Sequence, residues 1–257
     1  MSEATELPEI LGRLGVRPGG VLMVHSSLRG TGRSPTEVRN ALLDALGPDG
    51  TLVVPAFTPE NSDTSPAHHS RTEGMTEREK AEFRASMLPF EPNATPCPAM
   101  GALAECVRTT PGAVRSAHPQ TSFAALGRRA EELLADHDPY CHLGERSPMA
   151  ALYAADAQVL LLRVGFEVCT AFHLAEYRMT PPPPTRTYRC VVRDKGNWIE
   201  YEDLSLHDGD FGAIGALLPH GLCTKREFAG KPTFLFGMRD AVDAGRHLMS
   251  GYRGEMT

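Results

Sequence analysis

Leu7, Ile10, Leu11 and Leu14 are apolar at helical spacing, and Pro18-Gly19-Gly20 then breaks the chain before the apolar run Val21 to Val24. The pattern predicts helix, turn and strand. A second helix opens where Ser34-Pro35-Thr36-Glu37 supplies an N-cap serine, a proline at the first helical position and a glutamate placed to close a capping box. Val38, Ala41, Leu42, Ala45 and Leu46 fall on one face of that helix, and Gly47 stops it. After the turn Pro48-Asp49-Gly50, Thr51 to Pro55 reads as a buried strand, so this region alternates strand and helix as an α/β sheet does.

Residues 57–99 break the rhythm. Rich in Pro, Ser, Thr, Glu and Met, with His68 and His69 side by side, they lack a sustained period and predict a long irregular insertion, functional or mobile. Periodicity returns at Ala102 to Val107, followed by a predicted strand at Ser122 to Leu126, a helix at Arg128 to Ala135 and a strand at Val159 to Val164. Pro181 to Pro184 cannot be helical and predicts a stiff extended connector. Beyond it, Arg189 to Val192 and Trp198 to Tyr201 predict a hairpin turning at Lys195-Gly196, and Phe211 to Leu218 and Met238 to Met249 predict helices.

A chain of 257 residues, 41% of them hydrophobic, buries a substantial core, and one domain over residues 1–257 is expected. Its net charge of −6 and the lack of a basic run argue against nucleic acid as a partner. The start MSEATELPEILGRLG has neither the charged nor the apolar region of a signal peptide, and no apolar run approaches the roughly 20 residues of a membrane span. A cytoplasmic protein that does not engage a membrane is expected. The six cysteines are scattered without a C-x-x-C pair, which predicts reduced and mostly buried thiols. His68, His69 and His142 have no third ligand at a metal-site spacing, so no metal is expected.

Two strand ends carry candidate chemistry, because α/β sheets expose amides and hydroxyls there. The stretch VHSSLRGTG, residues 24–32, offers free amides, two adjacent serine hydroxyls, a guanidinium and two glycines, fit for a phosphate or pantetheine chain or for an ordinary polar turn. It matches neither common phosphate-loop motif. The stretch GFEVCTAFHLAE, residues 165–176, places His173 in the first turn of a helix if Thr170 is its cap, where the helix dipole favours an uncharged imidazole. Glu176 shares that face. From spacing alone, His173 is either a proton acceptor or a core histidine, and Glu176 either its orienting carboxylate or a solvated charge. Arg115-Ser116-Ala117-His118-Pro119 is an anion contact or a turn, and Glu200, Glu202, Asp203, Asp208 and Asp210, crowded around His207, form a cation-attracting cluster or a solvated loop.

Taken in order, GGVLMVHSSLRGTG, ALGPDGTLVVPAFT, VRSAHPQTSFAALGRRAEEL, LGERSPMAALY and VLLLRVGFEVCTAFHLAEYR resemble the aminoglycoside 3-N-acetyltransferase, or antibiotic N-acetyltransferase, family. The resemblance covers residues 19 to about 180; residues 185–257 are more divergent. It implies an α/β fold with a central mixed sheet flanked by helices, distinct from the general acetyltransferase superfamily. It also implies transfer of acetyl from acetyl-CoA to the 3-amine of an aminoglycoside, conferring antibiotic resistance. On this resemblance His173 is the base of the H-x-A-E motif, with Glu176, Thr170 and Asp203 as its catalytic companions. His25, Ser26, Ser27, Leu28, Arg29, Ser116 and His118 map to the coenzyme site, and Glu145, His207 and Asp210 to the substrate. Family members often carry Asn-Thr-Ser or Asn-Thr-Thr where this chain has Cys169-Thr170-Ala171, which leaves the acyl transfer expected and the acceptor open. The readings are an aminoglycoside acetyltransferase, an acyltransferase for a biosynthetic amine, and a silent CoA-binding protein, against which the retained His173 and Glu176 argue. The expected partner is a small, polycationic amine, and the expected assembly a monomer or homodimer.

Overall fold

The computed structural model describes residues 6–191 and 197–254. Its strands in chain order are β1 (Val21–Ser26), β2 (Thr51–Pro55), β3 (Val114–Arg115), β4 (Phe123–Gly127), β5 (Gln158–Leu162), β6 (Thr185–Val191), β7 (Trp198–Leu204), β8 (Cys223–Phe228) and β9 (Lys231–Gly237). Seven of them form one sheet in the order β3-β4-β2-β1-β5-β9-β8, and β6 pairs with β7 apart from it. β1 runs parallel to both β2 and β5, while the other pairings are antiparallel, so the sheet is mixed as expected. The continuous apolar runs of β1 and β2 belong to its centre, where both faces are covered.

Alternation along the strands sorts the core into two layers. Leu22, Val24, Leu52, Val54, Leu160 and Leu162 face α1 (Leu7–Leu14), α2 (Pro35–Leu46) and, beyond α3 (Pro66–Arg71) and α4 (Glu77–Ser86), α5 (Gly101–Arg108). Val21, Met23, Val53, Val159 and Leu161 face the opposite layer of α6 (Ala130–Leu134), α7 (Pro148–Ala154), α8 (Ala171–Tyr177), α9 (Phe211–Ala216) and α10 (Met238–Gly254). The capping box at Ser34 and Glu37 forms as the sequence predicts.

Residues 57–99 differ from the expectation of an irregular insertion: they hold α3 and α4. Ser65 caps the first, and Thr76 with Glu79 closes a capping box on the second. No residue of α4 is buried, so it has no apolar stripe for periodicity to report, and its start was written only in the capping pattern. The helix expected at 128–135 shortens to α6, and α7, β8 and β9 had not been anticipated. β8 presents Lys225, Arg226 and Glu227 to solvent and thus lacks an apolar run. The β6–β7 hairpin pairs Thr185 with Leu204 through Val191 with Trp198, longer than expected. Val192 and the turn Lys195-Gly196 lie outside the described residues. Among the described residues, no helix is long and apolar enough to cross a membrane.

Candidate active site

From β1 the chain crosses to β2 on one side, and β5 flanks β1 on the other. The carboxyl ends of these three parallel strands therefore open a crevice, the usual ligand position in α/β sheets. A cavity of about 290 Å³ lies there. His25 and Ser26 from β1, Phe57 after β2, Thr170 and His173 beside α8 and Asp208 before α9 all line it.

His173 is held from below. Its Nδ1 donates to Glu176 Oε2 at 2.6 Å, the i to i+3 reach of a helix, and the ring packs 4.8 Å from that of Phe211. This bond makes Nδ1 the donor and leaves Nε2 as the acceptor of an uncharged ring. Glu176 is wholly buried, and its other oxygen accepts from the His207 backbone N–H at 3.1 Å and from Arg253 Nη1 at 2.8 Å. Arg253, at the end of α10, also grips both oxygens of Asp210, at 2.6 and 2.8 Å. Burial alone would raise the Asp210 carboxyl, but the guanidinium outweighs it and holds the group below its ordinary range. A carboxylate, a guanidinium and a second carboxylate thus stand behind one imidazole.

The family model described as aminoglycoside 3-N-acetyltransferase matches residues 23–250. The chain belongs to this family.

It is an acyltransferase of the aminoglycoside 3-N-acetyltransferase type. Its similarity to the SPbeta prophage-derived aminoglycoside N(3′)-acetyltransferase-like protein YokD of Bacillus subtilis is 33% identity, over 92% of this chain and 88% of that protein. The crystal structure of YokD superposes with a TM-score of 0.85 at 32% identity, covering 94% and 96% of the two chains. AAC-IIIb in binary complex with CoASH matches at TM-score 0.80 and 28% identity, covering 96% and 95%. AAC-VIa bound to sisomicin matches at 0.78 and 27%, covering 96% and 97%.

Within this member of the aminoglycoside 3-N-acetyltransferase family, the predicted residues separate into those the cavity gathers and those it does not. His25, Ser26, Thr170 and His173 line it, and Glu176 stands directly behind. Thr170 stands at the N-cap position of α8, as expected, but with helical backbone angles and no side-chain cap bond, so its side chain serves as cavity wall and not as a cap. Ser27, Leu28 and Arg29 form the turn after β1. Arg163, in left-handed conformation with φ 61°, staples that turn: its Nη1 donates to the carbonyls of Ser27 at 3.0 Å and Arg29 at 2.5 Å. Its Nε and Nη2 reach the carbonyls of Phe228 at 3.2 Å and Ala229 at 3.1 Å in the β8–β9 turn.

The other predicted residues are committed elsewhere. Asp203 does not hold His173; it accepts from Tyr177 Oη at 2.6 Å, the His142 backbone N–H at 2.8 Å and His142 Nδ1 at 3.1 Å, tying the hairpin to the end of α8. Glu145 pairs with Arg178 and Asp210 with Arg253, and His207 contributes its backbone and not its ring. Ser116 and His118 are buried away from the cavity, Ser116 against His137 Nδ1 at 3.0 Å and His118 accepting the N–H groups of Gln120 and Thr121 at 3.1 Å. Sequence reasoning missed Phe57, for which the strand-end rule was signal enough, and Arg253, for which there was none. Asp208, one carboxylate in the clustered five, is the member on the cavity wall. All six cysteines are free, and among the described residues no group of three or more His, Cys, Asp or Glu is arranged to hold a metal.

Buried histidines make the fold acid-labile. Burial holds His25 and His137 down to about 4 and pushes His118 well below its ordinary value. A native pKa below the unfolded one means that the unfolded chain binds more protons, so stability is complete above about pH 6.5 and falls as pH drops toward 4. His25 and His137 should each cost on the order of 2 kcal/mol by pH 5. Thermal unfolding is therefore expected at a clearly lower midpoint at pH 5 than at pH 7.5; equal midpoints would contradict these burials.

Proposed function

We propose that the protein transfers acetyl directly from acetyl-CoA to the 3-amine of an aminoglycoside, with His173 as general base. The observation that carries the reading is His173 on the cavity wall with Nδ1 committed to a buried carboxylate. An ammonium has no lone pair, so the amine first gives up one proton to solvent; the neutral nitrogen that attacks must lose a second to become an amide. His173 Nε2 takes this second proton as the nitrogen bonds to the thioester carbon. The C–S bond then breaks, and the sulfur leaves as the CoA thiol on receiving that proton, giving an amide and CoA. Family membership and the CoASH and sisomicin complexes of AAC-IIIb and AAC-VIa support both substrates.

A covalent route has little support. Burial pushes the Cys169 thiol up to about 12, so it supplies no thiolate at neutral pH. The turn from Ser27 to Arg29 follows directly on Ser26 of the cavity wall and suits the coenzyme, with an exposed guanidinium to meet an anionic group.

Asp208 and Glu167 are the carboxylates on the cavity wall, and Glu200 and Glu202 lie exposed on the hairpin. They draw a polycation by long-range attraction, screened beyond about 8 Å at physiological salt. The expected result is thiol release from acetyl-CoA in the presence of an aminoglycoside such as gentamicin, with a KM for the amine that climbs with salt. The second reading, a biosynthetic amine, draws on the commitment of Glu145 and Asp210 to arginines, which leaves fewer carboxylates for a polycation. Release with no aminoglycoside in a panel but with a simpler amine would favour it.

A further inference from the structure

An unpaired polar atom sealed inside a protein costs free energy and asks for an explanation. His25 supplies one on the cavity wall. The residue is 8% exposed, and its Nε2 is sealed and without a hydrogen-bond partner among the described residues. Alternation along β1 puts Val21, Met23 and His25 on the face that carries α8, so the imidazole looks onto the same space as His173 and Thr170. Burial first, and the nearby His173 second, hold His25 down to about 4, which leaves the ring uncharged at neutral pH.

A neutral imidazole carries one N–H. On Nε2 that hydrogen would be a sealed, orphaned donor, a rarer defect than an orphaned acceptor. The hydrogen therefore sits on Nδ1, and Nε2 is a bare lone pair. Such a ring is a poor proton acceptor, and the base is already present in His173.

We propose that the Nδ1–H of His25 donates to the carbonyl oxygen of the acyl thioester and stabilises the oxyanion formed during attack. The inference rests on the acyl-transfer reading above and adds to it a catalytic residue for the electrophile. As the nitrogen bonds to the carbonyl carbon, the C=O electron pair moves onto oxygen; it returns when the C–S bond breaks, and His25 keeps its proton throughout. A neutral donor suits this place, because His173 becomes a cation in the same step and a charged neighbour would oppose it.

The test uses the full chain and the variants H25A, H25N and H25Q. An asparagine amide sits near the Nδ1 position of the imidazole, and a glutamine amide reaches toward Nε2. Infrared difference spectra of bound acetyl-CoA carrying a ¹³C-labelled carbonyl should show a lowered stretch in the wild type, largely kept in H25N and lost in H25A and H25Q. The kcat of H25A should fall about 10²- to 10³-fold with the KM for acetyl-CoA changed little. An unshifted carbonyl in the wild type, or wild-type kcat in H25A, overturns the donor while acyl transfer stands. A stretch kept in H25Q but lost in H25N overturns the assignment to Nδ1. No bound acetyl-CoA at all overturns this inference and the acyl-transfer reading together. If H25A does not fold, the H25N and H25Q pair decides.

Discussion

His173→Ala is expected to lower kcat by about 10²- to 10⁴-fold while acetyl-CoA still binds. The side chain is 15% exposed on a cavity wall and, among the described residues, hydrogen-bonds Glu176 alone, so its removal opens the cavity slightly and leaves the helix intact. What disappears, on the proposed mechanism, is the acceptor for the amine proton. Because His173 is proposed to move a proton and not to hold the coenzyme, the loss should fall on kcat with little change in coenzyme affinity. Steady-state kinetics with a titration of CoA by calorimetry checks both parts. Near-normal turnover by a folded variant would remove His173 from the role of base.

Glu176→Ala should damage two properties at once. The carboxylate is fully buried and accepts from His173, the His207 backbone and Arg253, so alanine strands the His207 N–H, takes from the guanidinium one of its two carboxylates and frees the imidazole to turn. Removing one partner of a buried ion pair typically costs about 3–5 kcal/mol, and loss of the oriented tautomer should cost turnover about 10²-fold or more. Glu176→Gln, which keeps the volume and one acceptor, is expected to recover much of the stability and little of the activity. Denaturant unfolding alongside kinetics separates the two. A Gln variant with full kcat would show that the charge on Glu176 is not needed to hold the base.

What was legible along the chain and what was not divides by distance. β1, β2 and α2 were readable because their signals are local: a run buried on both faces, and a serine and glutamate three residues apart that bond each other. His173 and Glu176 were readable as a pair for the same reason, since one helical turn brings them together. Arg253 lies 77 residues from Glu176, and its place behind the site follows from where α10 ends on the sheet, which no short window contains. Asp203 was misread because its partners, Tyr177 and His142, are 26 and 61 residues away, and a crowded acidic stretch says nothing of which carboxylate turns inward. Ser116 and His118 show the complementary failure: polar residues that look like a ligand contact are spent on interior partners, Ser116 on His137 and His118 on the Gln120 and Thr121 N–H groups.

Among the described residues, the guanidinium of Arg163 bonds to four carbonyl oxygens, two in the turn that follows β1 and two where β8 turns into β9. Every residue type offers the same carbonyl. Such an anchor is indifferent to the letters written in the loops it holds, so Ser27, Arg29, Phe228 and Ala229 can be exchanged without cutting it, whereas Arg163 itself has no substitute, since a lysine ammonium cannot span the four acceptors as a planar fork does. The turn after β1 is thereby free to drift in sequence while keeping its shape, and a lineage could retune what meets it without first rebuilding the scaffold beneath it.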